Sequence, residues 1–68
     1  MKPELREKLI KAIDWEIGNC QESGIYPNIC SIIGSEAGKR LVYDEVIRMV
    51  TEEGLRIDSS IAQLETTL

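Results

Sequence analysis

Apolar residues recur at every fourth position along the first third of this chain: Leu5, Leu9, Ile13 and Ile17, with Ile10, Ala12 and Cys20 beside them. A spacing of three or four keeps side chains on one face of an α-helix, whereas a strand would need strict alternation. The same period returns twice more. Val42, Tyr43, Val46, Ile47, Met49 and Val50 cover an arc wider than the stripe of an ordinary surface helix, so that helix is expected to be contacted from two sides. Ile57, Ile61, Leu64 and Leu68 form a narrower stripe, suited to docking on one neighbour. No segment alternates over a useful length. The reading is all-α: one small domain, residues 1–68, with three to four helices at about 3–20, 28–33, 36–53 and 59–67 and the third at the centre.

Punctuation between the stripes supports those limits. Pro3 suits the first helical position, where its missing N–H costs nothing. Gly24 and the Tyr26-Pro27 step end the first helix, and Asn28 is expected to cap the short turn "ICSII". Gly34 ends that turn, Ser35 caps the long helix, and Gly54 closes it. Ser60 to Gln63, "SIAQ", has the capping-box form, with Ile57 as a hydrophobic staple. Within the helices, Glu4–Lys8, Glu7–Lys11 and Asp44–Arg48 have the spacing of ion pairs.

A chain of 68 residues buries only about 60% of the surface its unfolded form exposes. Its core therefore gains from tight helix packing, a staple or a partner copy. With Trp15, Tyr26 and Tyr43 as the aromatics and no Phe, that core must be built from Ile, Leu, Val and Met. The net charge of −4 disfavours non-specific attachment to nucleic acid or anionic membrane. The charge is unevenly spread. Residues 1–11 carry Lys2, Arg6, Lys8 and Lys11 against Glu4 and Glu7, while residues 44–68 carry six acids against Arg48 and Arg56. This asymmetry reads first as a solvated, mixed surface and second as a basis for antiparallel self-association. The first residues are charged throughout and apolar runs are short, so neither a leader nor a membrane span is expected. With two cysteines and no export signal, the expected compartment is the cytoplasm, with free thiols.

The absence of histidine removes the commonest general base and zinc ligand, and every Ser–His or Cys–His nucleophile pair. The adjacent acids Asp44-Glu45 and Glu52-Glu53 diverge around a helix and frame no substrate. We expect no enzymatic activity, no metal and no cofactor. Cys20 and Cys30 fall short of the four ligands of a structural zinc site and are not spaced as a CxxC redox pair. They read first as small core residues on either side of a helix joint, and second as a disulfide or thiol switch.

"GSEAGKR", residues 34 to 40, fails the phosphate-loop pattern: three residues separate its glycines instead of four, and Arg40 stands where Ser or Thr is needed. The stretch from Ile29 to Ile47 has the form of a helix-turn-helix, in which Lys39 and Arg40 would lead a DNA-reading helix over residues 36–50. Glu36, Asp44 and Glu45 on that helix, its wide apolar arc and the acidic chain make nucleic acid an improbable partner. Trp15 is the residue that most needs explaining. It lies nearly opposite the apolar stripe, among Lys8, Lys11 and Glu4, where tryptophan acts as an interface anchor unless the chain itself covers it. Glu16, inside the apolar arc, needs either solvent or a partner. The function expected is a small non-enzymatic interaction or regulatory protein. It would bind another protein or a second copy of itself through Trp15, Lys8 and Lys11, with Ile61, Leu64 and Leu68 as leftover apolar residues of the last helix.

Overall fold

Four helices follow in order, with no strand among the described residues: α1 Pro3–Gln21, α2 Pro27–Ile32, α3 Glu36–Glu52 and α4 Ile57–Thr67. The computed structural model describes residues 1–21 and 24–68, without the side chains of residues 19–21. The all-α expectation holds, and the helix limits agree with it to within one or two residues.

The core is one apolar cluster to which every helix contributes: Ile13 and Ile17 from α1, Ile29 from α2, four residues of α3, and Ile61 and Leu64 from α4. Tyr26, just before α2, joins it. Helix α3 gives Val42, Val46, Ile47 and Met49, packs most extensively on α4, and also meets α1 and α2. It is the central helix that its wide apolar arc foretells.

The structure departs from the expected stripe at its first residue. Leu5 is half exposed, while Ile13 and Ile17 are buried. The reason is arithmetic. A spacing of four advances about 40° around a helix, so Leu5 sits about 80° away from Ile13 and rolls out of the contact.

The local caps also differ in part. Ser35 caps α3 as expected: its hydroxyl accepts from the Gly38 N–H at 3.0 Å and donates to the Ile32 carbonyl at 3.2 Å, tying the end of α2 to the start of α3. Gly38 is required there, because a Cβ on it would fall 1.8 Å from the Ile32 carbonyl oxygen. Asn28 does not cap α2. The helix opens one residue earlier at Pro27, and its free N–H groups are satisfied from α4: the Glu65 carboxylate accepts from the Asn28 and Ile29 N–H groups, each at 2.9 Å. Asn28 instead donates its side-chain amide to the Glu65 carbonyl at 3.3 Å.

Ser60 is not a cap either. Helix α4 begins at Ile57, so Ser60 lies one turn inside it, fully buried, with its hydroxyl donating to the Arg56 carbonyl at 2.7 Å. That bond lets a hydroxyl occupy the core without leaving a polar atom unpaired. Gly54, in the left-handed region at φ 69°, ends α3 as expected.

One ion pair joins two helices in place of the intrahelical pair that spacing implies. Asp44 pairs with Arg6 of α1 at 2.7 Å, not with Arg48. Arg48 is held by Glu45 and Glu53, each at 3.1 Å. Among the described residues the Glu4–Lys8 and Glu7–Lys11 pairs do not form.

Candidate interaction surface

Helix α1 has two unlike sides. Arg6, Ile10, Ile13 and Ile17 face inward, and about 180° away stand Lys8, Lys11 and Trp15. Trp15 is 70% exposed, the most exposed of the large apolar side chains, and Leu5 at 49% borders the same side. Among the described residues, no other helix covers this face. Lys8 and Lys11, one to two turns before Trp15, are exposed and make no ion pair among the described residues. A large exposed ring on the same side of the helix as two exposed lysines offers apolar area, a face for cations and an indole N–H donor.

The other expected partner residues divide. Ile61 is fully buried and Leu64 nearly so, both inside the chain's own core against α3. They are removed from the partner surface, because a narrow stripe that docks one helix on another has nothing left to offer outside. Leu68 remains exposed, one residue past the end of α4. Glu16 is half buried and reaches solvent at the edge of the α1 arc.

Lys39 and Arg40 are both exposed, but the structure sends them to different places. Lys39 lines a cleft of about 230 Å³ with Asp14, Ile17, Gly18, Ile33 and Tyr43. Arg40 lines a separate groove on α3 with Glu36, Ala37, Leu41 and Asp44. Each cation stands beside acids, so the pair does not make the continuous basic surface that holds a phosphate backbone.

The cleft also joins two titratable groups from different helices. The Tyr43 hydroxyl donates to Asp14 Oδ1 at 2.6 Å, joining α3 to α1. Partial burial, and then this bond to a carboxylate, push the Tyr43 pKa up to about 12. That direction holds the phenol neutral, which suits a structural donor and not a base working near neutrality. The volume is also below the roughly 300 Å³ at which ligand pockets begin.

Cys30 is half buried on α2. The Cys20 side chain lies outside the described residues, and with it the question of a bond between the two sulfurs. No group of three or more His, Cys, Asp or Glu side chains is placed to hold a metal among the described residues. No described helix is long and apolar enough to cross a membrane.

Sequence reasoning located Trp15 on the outer side of α1 but missed Leu5 beside it, and missed the Asp14–Tyr43 bond. The 40° drift of a four-residue spacing was the available signal for Leu5. Nothing local signals a pair separated by 29 positions. Comparison with protein-family models, curated proteins and solved structures found no match to this chain.

Proposed function

We propose that this chain is a small non-enzymatic interaction module that docks a protein partner on the outer face of α1, through Trp15 flanked by Lys8 and Lys11. One observation carries the reading: the chain's single tryptophan stands 70% exposed, on the side of α1 opposite the core. Tryptophan is enriched at binding hot spots, and a side chain of its size left in water is unfavourable unless something covers it. The lack of histidine and of a convergent catalytic cluster among the described residues supports a binding role. The cytoplasm, inferred from cysteine usage, is the compartment in which we place it.

The test is a photoreactive phenylalanine analogue at position 11, introduced in the native host. The reading expects a protein adduct, whether with a second copy or another chain, that disappears on Trp15→Ser. No adduct, or one indifferent to Trp15, contradicts it.

A further inference from the structure

We infer that α2 is a strap over the core, latched at its N-terminal end by Glu65 and hinged at its corner with α3. Released at Glu65, it swings clear and melts while α1, α3 and α4 keep their packing. The device is independent of whatever docks on α1.

The two ends of α2 are fastened unequally. At the N-terminal end, the three hydrogen bonds described between α2 and α4 all end on one residue. The Asn28 and Ile29 N–H groups donate to the Glu65 carboxylate, and the Asn28 side-chain amide donates to the Glu65 carbonyl. At the C-terminal end the attachment is backbone against backbone. The Ile32 carbonyl accepts from the Ser35 N–H at 3.3 Å and from the Ser35 hydroxyl, and it approaches Gly38 so closely that no Cβ fits between them. Ser35 also caps α3 through the Gly38 N–H, so this corner belongs to α3 as much as to α2. Upstream, Gly24 and Ile25 are exposed, and the chain there follows the movement.

The core is divided in the same sense. Helix α2 buries one residue, Ile29, against four from α3. Tyr26, whose carbonyl accepts from the Cys30 N–H at 3.0 Å, moves with it. Of the ten buried apolar residues described, these two leave when the strap opens, and the remainder lie on α1, α3 and α4. Those three helices have ties that bypass α2. The Arg6–Asp44 and Asp14–Tyr43 contacts join α1 to α3, and α3 packs most extensively on α4.

A segment with few buried contacts opens at a lower free energy than the whole fold. Once undocked, six residues do not keep their helical bonds, so the amides of α2 exchange with solvent in the open form. What the latch controls is access: the apolar side chains beneath α2 meet water while the rest of the fold persists.

Native-state hydrogen exchange on the purified full chain, followed residue by residue by NMR at rising urea below the unfolding transition, tests the inference. The Cys30 and Ile33 amides, bonded to the Tyr26 and Ile29 carbonyls, should exchange through one shared opening with a shallow urea dependence. The Val46 amide, in the core, should need an opening with the steep dependence of complete unfolding. The Lys39 amide, bonded to the Ser35 carbonyl beyond the corner, should not share the α2 opening. Glu65→Ala should speed exchange at Cys30 and Ile33 by about fivefold to thirtyfold, the factor that a lost cap implies. Equal slopes at Cys30 and Val46 in the unaltered chain overturn the strap, because α2 would then open only with the whole fold. Exchange at Cys30 indifferent to Glu65→Ala overturns the latch. Lys39 joining Cys30 in both slope and response overturns the hinge.

Discussion

The Glu65 carboxylate of α4 closes the first turn of α2 by accepting from the N–H groups of Asn28 and Ile29, each at 2.9 Å. Helix α2 has six residues, too few to hold together on its own propensity. Pro27 opens it without a donor to satisfy, Ile29 anchors it in the core, and Glu65 supplies the cap that its own sequence does not. A single side chain thus joins the shortest helix to the last one.

Glu65→Ala should lower stability by about 1–2 kcal/mol, the usual range for a lost N-terminal cap. In a domain of this size each kcal/mol shifts the melting temperature by about 4–8 °C. Glu65→Gln, which keeps one acceptor oxygen, should lose less. Urea unfolding followed by circular dichroism measures both, and equal, negligible effects would mean that the cap contributes nothing.

Two glycines should respond in opposite directions. Gly38→Ala drives a methyl into the Ile32 carbonyl, so the α2–α3 corner must open, at about 1–3 kcal/mol. Gly18→Ala, inside α1 with no atom within 4 Å of the added Cβ, should stabilise by about 0.5–1 kcal/mol. Thermal melts of the two variants check the contrast.

The Tyr43–Asp14 bond gives stability a dependence on high pH. Folding raises the Tyr43 pKa from its ordinary 10.0 to about 12, so the unfolded chain releases this proton first as pH rises. The contribution is complete below pH 10 and is lost as pH climbs towards about 12. Tyr43→Phe should remove that share of the alkaline loss, read as the difference between the two stability profiles. It should also remove the step near pH 12 from the tyrosinate absorbance titration.

How much of this was legible in the chain depended on distance along it. The helical period of Val42, Val46 and Met49 and the Ser35 cap are local facts, and they predict α3 correctly. The side of α1 that carries Trp15 follows from the wheel alone. Whether another element covers that side is tertiary, and the structure decides it. Ser60 misled because a capping-box spelling is also compatible with a buried helical serine bonded one turn back. The preference of Asp44 for Arg6 over Arg48 had no local signal, since the partner lies 38 positions away. The Glu65 cap was invisible for the same reason.

The account depends most on Trp15 standing outside the chain's own core, and collisional quenching at the dilute limit tests that directly. Trp15 is the only tryptophan, so its emission needs no deconvolution. The structure predicts long-wavelength emission quenched freely by acrylamide, with iodide more effective than caesium because Lys8 and Lys11 stand beside the ring. Short-wavelength emission shielded from all three quenchers in the monomer would put the ring inside the fold and contradict the proposed surface.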